Sequence, residues 1–175
     1  MANTNLLITA AGPDKIGFVE ELTRALVEHG ANIEESRMAR LAGDFAALVL
    51  VSIPPENIKS LRDDLMRLRG SSVEVSLRKV VSSGVSEFRD YRLCALSVEG
   101  ADHEGIIQGI AHVLTSLGVN IAELESDVTQ APESGAPLFN MRAKLQVPPS
   151  LGQTDLEKKL RRAAEQMAVT IALIA

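Results

Sequence analysis

Apolar residues along this chain occur either in short continuous runs or at helical spacing, and the order of these patterns predicts the elements of the fold. Leu6–Ala11 is a continuous apolar run with the length of a buried strand. After it, Phe18, Leu22, Ala25 and Leu26, with Val19 beside them, recur at the spacing that places them on one face of a helix. The chain is therefore predicted to begin with a buried strand followed by an amphipathic helix.

The next two strands are predicted to form a hairpin. Ile33–Leu41 is a polar-rich strand candidate, and Ala42–Asp44 has the composition of a tight connection. Phe45–Ile53 is almost entirely apolar, which predicts a strand covered on both faces, and Pro54–Pro55 ends it. A second helix and a last strand complete this half, with apolar helix positions at Ile58, Leu61, Leu65 and Leu68 and the strand at Val73–Val80. The predicted element order is β-α-β-β-α-β.

The second half of the chain repeats this order. Its elements are predicted at Arg92–Glu99, Ile106–Leu117, Ile121–Gln130, Leu138–Val147, Leu156–Met167 and Val169–Ile174. Because Ser82–Asp90 is polar and aperiodic, we expect a linker at 82–90 between domains at 1–81 and 91–175. The predicted fold class is α+β: two ferredoxin-like domains in tandem, whose antiparallel sheets carry their helices on one face. We expect the two domains to share an interface, because bare sheet faces and edges are normally covered.

A glycine-containing loop precedes the first helix of each half. Gly100–Gly105 follows Gly12–Gly17 at an offset of 88 positions, and eight of the 24 residues from Gly12 to Glu35 are identical at that offset. A glycine directly after a strand permits positive φ or the close approach of another backbone. The pattern predicts N-caps at Asp14 and Asp102, left-handed C-caps at Gly30 and Gly118, and an anion-binding helix start in each half.

Composition narrows the class of function. The 175 residues are 46% hydrophobic and 3% aromatic, which is typical of a globular protein with aliphatic cores. A net charge of −5 argues against nonspecific nucleic-acid binding. The single cysteine, Cys94, lies in an apolar strand and is predicted to be buried and inert. Since no apolar run could span a membrane and the first residues do not resemble a signal peptide, we expect a cytoplasmic protein that does not bind membranes.

Sequence motifs for catalysis, metal binding and cofactor binding are absent. The chain contains no G-x-S-x-G, Walker loop, H-E-x-x-H or C-x-x-C, so we expect no enzyme activity, no metal and no cofactor. His29 and His112 are interpreted as ordinary helix residues, whereas His103 lies in a repeated loop and is a candidate ligand contact. RNA-recognition modules share the predicted element order. However, the candidate strands offer only Phe45 and Phe139 for base stacking, which disfavours RNA binding.

The loops and the element order resemble those of tandem ACT domains. The matching segments are Gly12–Gly17 with Gly30–Ile33, and Gly100–Gly105 with Gly118–Ile121. The two-domain layout without an attached enzyme is similar to the glycine cleavage system transcriptional repressor family. This resemblance implies that an amino acid or other small effector binds at the loop after the first strand and the turn before the second. The implied ligand-binding residues are Gly12, Asp14, Gly17, Asn32, Ile33, Gly100, Asp102, Gly105, Asn120 and Ile121. His103 is added to them because it lies in the second of these loops.

The chemistry of these residues suits a zwitterion. Helix-start N–H groups can bind a carboxylate, Asp14 or Asp102 can meet an ammonium, and asparagine amides both donate and accept. Because the two copies differ at Lys15/His103 and Ile16/Glu104, we expect one competent site rather than two equal ones.

Three hypotheses for the function follow. The first is a non-enzymatic regulatory protein that senses an amino acid and acts through a protein partner, such as a transcription factor or a metabolic enzyme. It includes control of glycine cleavage at the level of transcription, which must be indirect because the sequence contains no helix-turn-helix segment. The second is a structural or oligomerising module that binds no effector. The third is a detached regulatory subunit of an amino-acid metabolic enzyme. Direct nucleic-acid binding is not expected, and a homodimer is compatible with all three.

Overall fold

The computed structural model describes residues 2–67, 72–80 and 88–174, and the chain divides into two compact units between residues 82 and 83. The first unit contains β1 (Thr4–Pro13), α1 (Phe18–Glu28), β2 (Asn32–Leu41), β3 (Asp44–Ile53), a short 3₁₀ turn (Pro55–Asn57), α2 (Ile58–Arg67) and β4 (Glu74–Lys79). The second contains β5 (Arg92–Ala101), α3 (Ile106–Ser116), β6 (Asn120–Gln130), β7 (Pro137–Val147), α4 (Gln153–Met167) and β8 (Val169–Ile174). The β-α-β-β-α-β order predicted for each half is confirmed.

Each unit is built on a four-stranded antiparallel sheet. The strand order is β2-β3-β1-β4 in the first unit and β6-β7-β5-β8 in the second. β1 and β3 pair along their whole length, from Thr4 opposite Ile53 to Pro13 opposite Asp44. β5 and β7 pair in the same way in the second unit. Both units therefore have the predicted ferredoxin-like arrangement, with two helices packed on one face of each sheet.

The helices are held on the sheets by the apolar positions that the sequence pattern singles out. α1 buries Phe18, Leu22, Ala25 and Leu26 as predicted, whereas Val19, predicted beside them, is 43% exposed. Fully burying one large aliphatic side chain stabilises the fold by roughly 1.5–3 kcal/mol. α3 buries Ile106, Ile110 and Leu114, whereas the apolar Ile107 beside them is 39% exposed.

β3 differs from its prediction as a strand covered on both faces. Ala47 and Val49 are buried, whereas Leu48 between them is 42% exposed. Both helices of the unit pack on the Val49 side, so Leu48 lies on the face that they leave open. The alternation is hidden in the sequence because the open-face positions Leu48 and Leu50 are apolar as well.

Tight turns and bulges occur where the sequence allows them. Ala42 and Gly43 form the two-residue turn between β2 and β3, with φ of 51° and 94°, which confirms the predicted hairpin. β2 has a register shift between Ile33 and Glu35, and β6 has the corresponding shift between Ile121 and Glu123. One extra residue in the edge strand at such a bulge bends and twists it.

The aromatic residues that an RNA-recognition module would need are used in packing. Phe139 is buried in the core of the second unit. Phe45 packs edge-on against Phe18, with ring centroids 5.3 Å apart. Neither ring is therefore placed as an exposed platform for a base. Cys94 is buried, as predicted.

Two predictions extend beyond the described residues. Leu68, the last apolar position of the predicted second helix, lies outside them. So do residues 82–87 of the predicted linker, and the linker boundaries stay a prediction.

Gly12→Ala is expected to destabilise the first unit. A Cβ at this position would lie 2.7 Å from the Ser72 carbonyl oxygen and 2.9 Å from the Val73 Cα, both of which are backbone atoms. Such overpacking costs about 1–3 kcal/mol, measurable as the free energy of unfolding in urea. Ala11→Ser, at the neighbouring exposed position, is the control and should change that free energy by less than about 0.5 kcal/mol. Equal stabilities of Gly12→Ala and the wild-type protein would contradict the close approach.

Candidate functional site

Gly12 and Gly100 lie within strands rather than after them, because β1 continues to Pro13 and β5 to Ala101. Gly12 is opposite Phe45 of β3, and Gly100 is opposite Phe139 of β7. A Cβ on Gly100 would meet the Val169 side chain at 2.8 Å and its Cα at 3.1 Å. A glycine here was expected either for positive φ or for the close approach of another backbone segment. The structure confirms the close approach.

The predicted N-caps at Asp14 and Asp102 are wrong. The residues before α1 and α3 are Gly17 and Gly105, with φ of 92° and 91°, and neither helix start receives a side-chain cap. The aspartates lie three residues earlier, and their backbone N–H groups donate to the Gly43 carbonyl at 2.9 Å and the Pro137 carbonyl at 3.1 Å. The left-handed glycine turns the chain into the helix, so a carboxylate so far upstream does not reach the first turn. The first-turn N–H groups lack intrahelical acceptors, and in the first unit that of Phe18 donates to the Lys15 carbonyl at 3.3 Å.

At the other end of these helices, the predicted left-handed C-caps are confirmed. Gly30 follows α1 with φ of 68°, and Gly118 follows α3 with φ of 69°. The N–H of Gly30 donates to the Val27 carbonyl, and that of Gly118 to the Thr115 carbonyl.

The two aspartates differ in their neighbours. The Asp14 carboxylate forms an ion pair with Arg40, at 2.8 Å between Oδ2 and Nε. Arg40 lies opposite Phe45, and the residue in the equivalent position opposite Phe139 is Val128. Asp102 accordingly forms no ion pair with any residue in the described part of the chain. Of the two carboxylates, only that of Asp14 is paired with an arginine in the part of the chain that the structure describes.

The neighbouring loop positions also differ. Lys15 forms a 2.6 Å ion pair with Glu21 in the first turn of α1. Its counterpart His103 has Nδ1 3.0 Å from the Glu104 carbonyl oxygen and Nε2 2.8 Å from the carbonyl of Met167, the last residue of α4. A neutral imidazole has one N–H, so only the protonated ring can donate to both carbonyls. The hydrogen bonds to Glu104 and Met167, with a smaller effect of the nearby Asp102 charge, raise the pKa of His103 above its usual value.

The asparagines at the starts of β2 and β6 donate to side chains of their own units. The Asn32 amide donates to Glu34 at 3.1 Å, and Ser52 donates to the same carboxylate oxygen at 2.7 Å. Donation from Ser52, and then from Asn32, lowers the pKa of the Glu34 carboxyl. The Asn120 amide donates to the Gln146 side chain at 2.6 Å. Beside them, Ile33 is 38% exposed, while Ile121 is half-buried against the core of the second unit.

The predicted site residues fall into two groups that are far apart within each unit. The loop group comprises Gly12, Asp14 and Gly17, with Gly100, Asp102, His103 and Gly105; the strand-start group comprises Asn32, Ile33, Asn120 and Ile121. Gly12 lies opposite Phe45 and Asn32 lies opposite Ser52, at positions seven residues apart on β3. At the rise of a β-strand this is about 23 Å. The second unit repeats this separation, because Phe139 and Gln146 are also seven residues apart.

A surface depression of about 770 Å³ lies beside Gly12, lined by the β2–β3 turn, the end of β1 and the start of β4. Four residues that contact the predicted site residues were not predicted from the sequence: Arg40, Glu34, Ser52 and Gln146. Arg40 could have been found by pairing β2 with β3 about the Ala42–Gly43 turn, which places it opposite Phe45. Nothing in the local pattern indicates the other three.

Within residues 2–67, 72–80 and 88–174, no three His, Cys, Asp or Glu residues form a group that could hold a metal ion. In the same residues, every helix falls short of the length and hydropathy needed to cross a membrane.

Comparisons with known proteins identify relatives. Residues 4–76 match the sequence model of the ACT domain. Over 164 residues, which are 93% of this chain and 85% of the relative, the sequence is 27% identical to the glycine cleavage system transcriptional repressor of Escherichia coli (strain K12). The repressor of the same name from Shigella flexneri matches over the same length with the same identity.

Among solved structures, an unknown protein from Galdieria sulphuraria is 34% identical, with a TM-score of 0.86 over 98% of both chains. A protein provisionally named as a glycine cleavage system transcriptional repressor has a TM-score of 0.70 at 20% identity, over 98% of this chain and 96% of that one. The second likeness shows that the two share a fold.

His103→Gln is expected to lower stability at acidic pH and to lose this effect at alkaline pH. A group whose pKa is raised by folding stabilises the folded state fully below its unfolded pKa, about 6.5 for histidine, and loses that contribution as pH rises through the folded pKa. The difference in unfolding free energy between wild type and variant should therefore shrink across this range. A titration of the His103 ring by NMR gives the folded pKa directly. A midpoint at or below the ordinary value would contradict the two-carbonyl geometry.

Proposed function

The chain is a tandem ACT-domain protein similar to the glycine cleavage system transcriptional repressors, and we propose that it is a non-enzymatic regulator that binds an amino acid or similar small effector and acts through a protein partner. The observation that carries the proposal is the extent of the similarity. It covers 93% of this chain and includes both units, so the relatives match it as a pair of domains. Their names describe regulators, and the sequence contains none of the common catalytic motifs.

Regulation of transcription by this protein would be indirect. The net charge of −5 disfavours phosphate contacts, which supply most nonspecific DNA affinity. Among the described elements, α1 and α2 are separated by the β2–β3 hairpin and α3 and α4 by the β6–β7 hairpin, so neither pair forms a helix-turn-helix. A protein that binds DNA, or an enzyme of glycine metabolism, is the class of partner that this arrangement requires.

The loop at residues 101–105 has the chemistry for the charged ends of an amino acid. The first-turn N–H groups of α3 suit a carboxylate, because no side chain caps them. Asp102 suits the ammonium group, because Val128 replaces the arginine that pairs with Asp14 in the first unit. We therefore assign effector binding to the loop group of the second unit, and we expect the first unit to bind more weakly or not at all.

Calorimetric titration of the wild-type protein with the twenty amino acids tests this assignment, with glycine the first candidate because of the relatives' names. Asp102→Asn should weaken binding at least about fivefold, because a hydrogen bond to a charged ligand group contributes roughly 1.5–3 kcal/mol. Asp14→Asn is the matched control in the first unit and should leave the affinity unchanged.

Asn120→Ala separates the loop group from the strand-start group, because Asn120 lies at the far end of the same sheet. Unchanged binding by this variant supports binding at the loop. Weakened binding by both variants would contradict binding at the loop alone, because a single amino acid cannot span the roughly 23 Å between the two groups of the unit. Binding that survives Asp102→Asn but not Asn120→Ala would contradict the assignment. Circular dichroism of each variant checks its fold.

A tagged form of the full chain is expected to capture a specific protein from the native lysate. The amount of captured protein should change when the effector found by calorimetry is added. Asp102→Asn should remove the effect of the amino acid without preventing capture. Direct DNA binding would contradict the indirect mechanism, and a salt-sensitive gel shift at submicromolar protein would reveal it.

A further inference from the structure

The four edge strands differ in charge. Charged residues occur in three of them: Glu34, Glu35, Arg37 and Arg40 in β2, Glu74, Arg78 and Lys79 in β4, and Glu123, Glu125 and Asp127 in β6. β8 (Val169–Ile174) is also an edge strand and contains no charged residue and no proline. Soluble proteins protect edge strands with charges, because an uncharged edge readily pairs with another strand. β8 lacks this protection.

The side chains of β8 are partly exposed on both faces. Thr170, Ala172 and Ile174 alternate along the open face of the sheet, and Ile174 is 65% exposed. On the other face, Ile171 and Leu173 are half-buried. The strand therefore presents apolar surface on both sides of an edge whose backbone groups point away from β5.

A groove of about 580 Å³ runs between β8 and α4. Ile171 and Leu173 line its strand side, and Leu160 and Ala164 line its helix side. The charged residues along the groove come from α4 and alternate in sign at four-residue spacing: Glu157, Arg161 and Glu165. Neither Arg161 nor Glu165 forms an ion pair within the described residues.

This alternation is complementary to itself. When two identical helices approach antiparallel about a twofold axis, a residue in one can face a residue one turn away in the other. An axis near residue 159 places Arg161 opposite Glu157 of the second copy, and an axis near residue 163 places it opposite Glu165. In either register, the twofold axis produces the arginine–glutamate pair twice, once on each side of the axis. Antiparallel pairing of two β8 strands uses a twofold axis perpendicular to the sheet, which would bring the two α4 helices together on the same side.

We propose that β8 is a dimerisation edge, at which the β8 strands of two copies pair antiparallel and the two α4 helices close the grooves beside them. The resulting sheet continues across the axis through eight strands. It pairs the backbone groups of an uncharged edge, covers Ile171 and Leu173, and matches Arg161 with a glutamate of the second copy. An unrelated extended peptide would satisfy the backbone but would not supply the matching charges, which is why the second copy is the better occupant.

Ala172→Lys tests the proposal by placing a charge on the exposed face of the edge. Since the two β8 strands run antiparallel about the axis, the two new lysines lie on the same face and close to each other. Sedimentation velocity over a concentration series should show a wild-type dimer, and a dissociation constant at least about tenfold higher for the variant.

Ser76→Lys is the matched control on β4. Ser76 lies opposite Thr9 of β1 as Ala172 lies opposite Ser97 of β5, so the two substitutions occupy equivalent positions on different units. The control should leave the wild-type dissociation constant unchanged. Far-UV circular dichroism and thermal unfolding establish that both variants are folded.

A charge exchange on α4 gives a second measurement that does not alter the strand. Arg161→Glu should weaken the dimer, and the double variant Glu157→Arg with Arg161→Glu should restore it if those two residues meet across the axis. Restoration by Glu165→Arg with Arg161→Glu supports the same dimer in the other register. A wild-type protein that stays monomeric at about 100 μM, or a dimer insensitive to both Ala172→Lys and Arg161→Glu, would overturn the proposal.

Discussion

Each unit depends on the burial of one sheet face beneath two amphipathic helices. In the first unit, Leu22 and Leu26 of α1 and Leu61 and Leu65 of α2 are excluded from water together with alternate residues of β1 and β3. This packing uses every second strand position and one stripe of each helix. It leaves the opposite sheet face, the edges and the strand ends under weaker constraint. The candidate effector loops and the proposed contact edge all lie in these less constrained regions.

The sequence predicts the packed layer well and the polar contacts poorly. Phe18, Leu22, Ala25 and Leu26 follow the helical period, and all four are buried. The error at Leu48 arose because an apolar residue on the open face has the same composition as a buried one. A local pattern reports the secondary structure that a segment favours, but it does not report which side of a sheet the helices cover.

The predicted N-caps were wrong for a different reason. Asp14 has the right residue type for an N-cap, but the left-handed turn at Gly17 separates it from the helix start. The resemblance to ACT domains grouped Asn32 with Gly12, and within one unit a helix of 11 residues separates them. Neighbours in a repeated motif are therefore not neighbours in space when the motif includes both ends of a helix. Arg40 belongs beside Asp14 only through strand register, which depends on pairing rather than on local spacing.

The two register shifts bear on the evolutionary origin of the two units. Ile33/Glu35 and Ile121/Glu123 mark the same bulge at the same offset of 88 residues, and each shift directly follows a paired isoleucine. The longer connection between β6 and β7, by contrast, has no counterpart in the two-residue turn of the first unit. A single ancestral unit that already contained the bulge, and was then duplicated, accounts for the shared feature. On this account the long connection arose after the duplication, in the second copy only, and the two units have diverged since.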